Sequence, residues 1–296
     1  MGLWQSLLRW FRPSEPPTLA NTAAAAADDR IEPGTTADPL AALDPLPEPA
    51  PAQSELPFDS EQPAAEALVA GSGWGSARQR QMLALYGGMA WDRQIDFAAL
   101  IGEHDWTADA EAGTISFGSE LTFPMQVLGS FSAVSGTWRW IWANEPAQVS
   151  EDSMVVARQM RVHGEQEAIA FLTEPQYPLA QQDLHQLGLI ACGADESAGY
   201  YLADYGEGIM LVLIDPGHGL PKAEFNLARV LSVVPQVISQ YPMSHRLMLL
   251  HYLQAKGMAV QESAHEITAT RGSDRLVAQL DAQGRIASLN GQLVPA

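Results

Sequence analysis

A single cysteine, Cys192, is present among the 296 residues, and this scarcity excludes two kinds of protein. One thiol forms no internal disulfide, and no group of cysteines is present to hold a zinc ion. Because Cys192 lies in the apolar stretch 187–192, we expect a buried structural thiol and not a reactive one. This composition fits a reducing compartment.

Basic residues are scarce as well. The chain has 16 lysines and arginines against 35 aspartates and glutamates, which gives a formal net charge of −19. A surface of this sign repels phosphate backbones, so the sequence predicts no nucleic-acid partner. It suits a basic protein partner, although a moderate negative charge also serves solubility alone.

Signatures of catalysis and of cofactor binding are missing from the sequence. The seven histidines include no His-Glu-x-x-His pattern, and His163-Gly-Glu165 lacks the two cysteines that would complete a deaminase signature. There is no phosphate-binding P-loop and no Gly-x-Ser-x-Gly elbow. We therefore predict no metal and no cofactor, and the sequence favours a protein that is not an enzyme.

Residues 1–12 predict a short amphipathic helix, which Pro13 ends. At about 100° per residue its large apolar side chains share one arc, opposite its two arginines; these apolar residues are Leu3, Trp4, Leu7, Leu8, Trp10 and Phe11. The segment is too short to span a bilayer and lacks the layout of a signal peptide. We expect it to contact a membrane surface or a partner protein weakly and reversibly, with packing on its own domain as the alternative.

Residues 13–75 are rich in proline and alanine, and their charges are mostly acidic. Such a segment buries too little apolar surface to offset the entropy of ordering it. We predict a disordered linker over residues 13–75, between the helix of residues 1–12 and one globular domain of residues 76–296.

The patterns within this domain predict an α+β fold in which antiparallel β-meanders pack with helices. Helical periodicity predicts helices at 76–101, 153–166, 180–192, 224–240 and 243–255. Alternating patterns between tight turns predict a strand ending before 109, a hairpin over 197–215, and strands at 114–117, 121–131, 136–143, 265–270, 275–280 and 285–289. Gly87-Gly88 predicts a kink or break in the first helix, and residues 168–172 fit either a helix tail or a short strand.

The most distinctive segment, residues 136–144, reads Gly-Thr-Trp-Arg-Trp-Ile-Trp-Ala-Asn. In a strand, Trp138, Trp140 and Trp142 would all point to one face. Three indoles in a row can stack on a ligand, but such a stripe is more often the buried face of a sheet. We predict core packing and keep ligand binding as the alternative.

This segment and the preceding Gln126-Val-Leu-Gly129 resemble a widespread bacterial family known only as a domain of unknown function. The runs at 106–117, 199–202 and 209–213 resemble the same family, so the resemblance extends over residues 80–215. It implies a bacterial, cytoplasmic protein, and it carries over no activity and no catalytic residues.

One loop is a candidate catalytic site. Asp215-Pro-Gly-His218-Gly follows an apolar strand pattern, and an aspartate with a histidine at a strand end could hold a general base. Asp-Pro-Gly is also an ordinary turn sequence. The loop therefore fits a site or a plain turn.

Three functions follow from these observations. The missing catalytic signatures favour a non-enzymatic protein that binds another protein, in an immunity or adaptor role. The alternatives are a hydrolase-type enzyme with a site near Asp215 and His218, and a protein tethered to a membrane surface by residues 1–12. We expect a cytoplasmic protein, with peripheral contact at the inner membrane surface as the alternative.

Overall fold

The computed structural model describes residues 73–144, 149–215 and 225–292. Its helices are α1 (Ala77–Ile101), α2 (Val155–Gln166), α3 (Ala170–Thr173), α4 (Leu184–Ala194), α5 (Leu227–Gln240) and α6 (His245–Ala255). Its strands are β1 (Trp106–Asp109), β2 (Thr114–Phe117), β3 (Leu121–Ser132), β4 (Thr137–Trp140), β5 (Gln176–Pro178), β6 (Gly199–Asp204), β7 (Gly208–Ile214), β8 (Ala259–Glu262), β9 (Glu266–Arg271), β10 (Asp274–Leu280) and β11 (Ile286–Gln292). The predicted α+β class, with antiparallel sheets packed against helices, is confirmed.

Helix α1 is the longest element, and it continues through Gly87 and Gly88, so of the predicted kink or break the break is wrong. The glycines permit close packing instead. A Cβ atom at Gly88 would lie 3.0 Å from the Cβ of Tyr252 on α6, and one at Gly193 of α4 would lie 2.6 Å from the Cβ of Tyr86. Helix α1 therefore packs closely against both α4 and α6.

The larger sheet is centred on β3. This strand pairs antiparallel with β2, β4 and β7, and β1, β5 and β6 extend the sheet beyond those neighbours. Phe131 lies opposite Trp138 of β4 and Ile209 of β7, which sets the register of the central strands. Strand β5 was not predicted, because three residues are too few to show an alternating pattern.

The strand predicted at 136–143 is wrong beyond Trp140. Residues Ile141–Ala143 form a 3-10 turn, so Trp142 does not continue the alternation of β4. Residues 168–172, for which helix and strand were both open, contribute to the short helix α3.

The smaller sheet has the strand order β11-β10-β9-β8, and helices α5 and α6 contact its two edge strands. One face of the sheet is buried through Ile267, Ala269, Leu276 and Ala278. These residues and the interior of the larger sheet belong to one continuous hydrophobic core. Across the described residues, no helix is both long enough and apolar enough to cross a membrane.

The described chain begins three residues before the predicted domain start, with Trp74 packed on the domain. Its indole lies edge-on to Phe171, with ring centroids 5.5 Å apart, and stacks on Tyr177 at 6.3 Å. Its Nε1 also donates to the Asp183 carboxylate at 3.2 Å. The residues just before α1 are therefore part of the folded structure. The predicted helix of residues 1–12 and most of the predicted linker lie outside the described residues.

Candidate functional site

The first turns of α1 and the α5–α6 turn enclose a groove, here called the corner groove, with a volume of about 640 Å³. Pro242 follows the end of α5, and Ser244 begins α6 by accepting a hydrogen bond from the Leu247 backbone N–H at 3.2 Å. These two residues turn the chain sharply beside α1. The sequence predicted the break between the helices but gave no signal that α1 would lie against it.

The corner groove combines apolar and polar side chains. Its half-buried apolar and aromatic residues are Ile238, Tyr241, Met243 and Leu247, and its exposed polar residues are Arg80, Gln81, Ser239, Gln240 and Ser244. Surfaces that bind another protein usually combine apolar and polar side chains. The groove can therefore hold a segment that carries at least one large apolar side chain.

The electrostatics of the corner groove differ from those of the whole chain, because no aspartate or glutamate lines it. Arg80 donates to the Gly75 carbonyl at 2.6 Å and pairs with no carboxylate among the described residues. Burial, aided by the charge of Arg285, lowers the pKa of His245, whose Nδ1 accepts the Ile286 backbone N–H at 3.3 Å. Arg80 therefore supplies the formal charge of the groove at neutral pH.

A second polar cluster lies in the interior and joins α1 to α5 and α6. The buried Asp92 carboxylate accepts from Arg229 Nε and Lys256 Nζ, each at 2.7 Å, and from the Tyr252 hydroxyl at 2.9 Å. Arg229 also donates to the Asp96 carboxylate at 2.7 Å. Burial raises the pKa of Asp92, but the hydrogen bonds and charges of Lys256, Tyr252 and Arg229 together have a larger effect, so the pKa is lowered. A carboxylate held by three donors is suited to joining helices and not to accepting a substrate proton.

Asp215, the first residue of the candidate catalytic loop, lies at the end of β7. Its backbone N–H donates to the Pro124 carbonyl at 3.2 Å. Its charge helps to raise the pKa of Asp195, where burial is the larger cause and the hydrogen bond from the Ser197 hydroxyl opposes both. His218 lies outside the described residues. The structure thus places Asp215 near a second carboxylate and leaves the Asp215–His218 pair a prediction.

The three tryptophans of the 136–144 segment have different environments. Trp138 and Trp140 are fully buried, with their rings edge-on at 5.5 Å, and Trp140 Nε1 donates to the Phe171 carbonyl at 3.1 Å. Trp142 is half-buried, stacks on Trp140 at 6.4 Å and carries the Arg161 guanidinium 4.5 Å from its ring centroid. Two of the three indoles therefore offer no face to a ligand, and the outer face of the third is covered by an arginine.

Four buried polar atoms lack a hydrogen-bond partner within the described residues, and three of them belong to the 136–144 segment. They are Trp138 Nε1, Trp142 Nε1, Asn144 Oδ1 and the Tyr177 hydroxyl, and Tyr177 lies opposite Trp138 on β5. Buried polar groups usually have a partner, so these four atoms are exceptions within the described residues.

Cys192 and His185 are both buried in the core. Burial raises the pKa of the Cys192 thiol to about 12. Burial lowers the pKa of His185 to about 4, and its Nδ1 lies 2.9 Å from the Tyr200 hydroxyl. In the described part of the chain, no group of three or more His, Cys, Asp or Glu side chains is placed to hold a metal ion. The apolar residues of the predicted 1–12 helix lie outside that part.

The model of a family of unknown function, DUF6882, matches residues 80–216. The resemblance predicted over residues 80–215 is therefore confirmed. No curated protein and no solved structure matches the chain. The family segment contributes Arg80 and Gln81 to the corner groove, whereas the α5–α6 turn lies beyond it.

Proposed function

We propose that this chain is a non-enzymatic, adaptor-like protein that binds a segment of another protein in the corner groove. The observation that carries the proposal is the composition of the groove: half-buried Ile238, Met243 and Leu247 beside an arginine that has no acidic partner among the described residues. Apolar grooves next to helices accept amphipathic segments of partner proteins. The bacterial and cytoplasmic setting implied by the family resemblance belongs to the same proposal.

The other ionisable clusters support binding over catalysis. Asp92 is held by three donors, and the buried Cys192 thiol has a pKa of about 12. A nucleophile or general base needs a pKa closer to neutrality and access to a substrate. The alternatives of a hydrolase near Asp215 and His218 and of a membrane tether through residues 1–12 stay predictions.

The test places a photo-reactive phenylalanine derivative at Ser239, an exposed position in the groove, in the full chain inside the source cell. We expect one discrete protein adduct, and we expect Arg80→Glu to reduce its yield because the groove charge is reversed. Arg275→Glu is the matched control, since Arg275 is exposed and lies on β10, outside the groove. The same derivative at Val134, which is 94% exposed on the β3–β4 turn, reports non-specific capture.

Two outcomes would contradict the proposal. The first is an identical adduct pattern from Ser239 and from Val134. The second is an adduct from Ser239 whose yield falls equally with Arg80→Glu and Arg275→Glu, because a global charge effect would then explain it. Thermal unfolding of each variant should match the parent, since both arginines are exposed.

A further inference from the structure

The corner groove is a positively charged, partly apolar site on a chain of net charge −19. The exposed carboxylates of such a chain repel acidic segments over most of its surface. The groove differs, because Arg80 lines it and no carboxylate does. A complementary segment therefore carries acidic residues around a large apolar side chain.

The chain itself supplies a segment of this kind. The 72 residues before the described region carry 11 acidic and 3 basic residues. Between residues 13 and 73, Phe58 is the sole aromatic residue, and it lies in the run Glu55-Leu-Pro-Phe-Asp-Ser-Glu61. That run has three acids, no base and two bulky apolar side chains, Leu56 and Phe58, on either side of one proline.

This run lies close enough along the chain to reach the groove. The described chain starts at Gly73, four residues before Ala77, which lines the groove. Eleven residues, 62–72, lie between this run and Gly73, and a chain of that length spans roughly 18 Å as a random coil and at most roughly 37 Å. A tether of this length gives an effective concentration on the order of millimolar, so even weak contacts lead to substantial occupancy.

We propose that residues 55–61 of the same chain occupy the corner groove, with Phe58 against Ile238, Met243 and Leu247 and with the flanking acids near Arg80. Occupancy by the chain itself would compete with an external partner. The binding of residues 55–61 in the groove is argued from the groove and the sequence alone. Competition with an external partner rests in addition on the proposed function.

Cysteine cross-linking in the full chain tests the self-docking. Ser60→Cys is combined with Ser239→Cys in the groove, and a short bis-maleimide reports their proximity; Cys192 does not compete because it is fully buried. Ser60→Cys with Ser273→Cys is the matched control, since Ser273 is exposed on the β9–β10 turn. We expect an intramolecular cross-link to Ser239→Cys at a rate about tenfold above the control, which corresponds to a preference of about 1.4 kcal/mol.

Two further substitutions decide whether the contact is specific. Adding Phe58→Ser or Arg80→Glu to the Ser60→Cys/Ser239→Cys pair should lower the cross-linking rate towards that of the control. Rates that stay unchanged, or equal rates for Ser239→Cys and Ser273→Cys, would overturn the self-docking.

A separate measurement distinguishes the proposed adaptor function from the self-docking. Phe58→Ser, combined with the photo-reactive derivative at Ser239, should raise the yield of the partner adduct. A cross-link that forms while no partner adduct appears even with Phe58→Ser would overturn the adaptor function and support the self-docking. A partner adduct without the cross-link would support the adaptor function and overturn the self-docking.

Discussion

Replacement of Asp92 by alanine removes the acceptor that joins α1 to α5 and α6. The side chain of Asp92 is only 5% exposed, and that of Lys256 is 10% exposed. After Asp92→Ala, the Lys256 side chain loses its carboxylate partner in a largely buried site, and the Tyr252 hydroxyl loses its acceptor. Arg229 keeps its second ion pair, in which the 43% exposed Asp96 carboxylate accepts a hydrogen bond from its guanidinium at 2.7 Å.

The loss of stability caused by Asp92→Ala depends on how deeply the ion pair is buried and not on the number of hydrogen bonds. Removal of one partner from a buried ion pair costs about 3–5 kcal/mol, because the remaining charge is left without compensation. We therefore expect Asp92→Ala to lower the free energy of unfolding by this amount. Asp92→Ala combined with Lys256→Met should recover part of the loss, because the buried charge is then gone as well.

The pH dependence provides an independent check on the charge state. The lowered pKa of Asp92 in the folded state means that its stabilisation is present above the ordinary aspartate pKa of about 3.9. This stabilisation is lost as the pH falls through the lower, folded-state value. The difference in stability between the parent and Asp92→Ala should therefore be constant near neutrality and shrink below about pH 4.

Urea unfolding followed by tryptophan fluorescence measures the effect. With a slope of about 2.5 kcal/mol/M, a loss of about 4 kcal/mol lowers the midpoint by about 1.6 M. Glu165→Gln is the control, because Glu165 is 53% exposed and its pair with Arg161 contributes less than about 1 kcal/mol. A midpoint for Asp92→Ala as close to the parent as that of Glu165→Gln would refute the reasoning.

Three further predictions can be checked by urea unfolding, limited proteolysis and the pH dependence of stability. Trp140→Ala should lower the free energy of unfolding in urea by about 3–5 kcal/mol and Trp142→Ala by clearly less, because Trp140 is fully buried and Trp142 is half-buried; equal costs would contradict this. Trp74→Ala should lower the free energy of unfolding by about 1–3 kcal/mol, because Trp74 packs on the domain. For the same reason, limited proteolysis of the parent should leave a fragment that starts at or before residue 73 and not at 76. Because the pKa of His185 is lowered to about 4, stability should fall between pH 6.5 and 4, and His185→Gln should flatten that decline.

Local patterns account for most of the secondary structure that was predicted. The hairpin of β6 and β7 and the meander of β9, β10 and β11 have clear alternation and turn residues between their strands, and both are present. The short strands β5 and β8 were missed, because three or four residues do not establish a period. Trp142 was placed wrongly for a different reason: regular spacing of indoles looks like strand alternation even where the backbone turns.

The polar clusters were harder to predict, because they depend on tertiary contacts. Asp92 and Lys256 are 164 residues apart, and neither has a distinctive local sequence. The Asp92 cluster forms only because α1 packs against α6, and nothing in either helix alone indicates that pairing. Arg80 likewise lines the corner groove only because the α5–α6 turn lies beside α1 in the fold.

The position of the corner groove limits how far any function can be extended to the family. Arg80 and Gln81 come from the family segment, but Ile238, Met243 and Leu247 come from the part of the chain after residue 216. That later part is joined to the family segment through Asp92 of α1, which contacts Arg229 and Lys256. A family member without equivalents of α5 and α6 would lack both the apolar side of the groove and the reason to bury an acid at the position of Asp92. The groove, and with it the proposed binding of a protein segment, is therefore a property of this chain's extended architecture and not of the family segment alone.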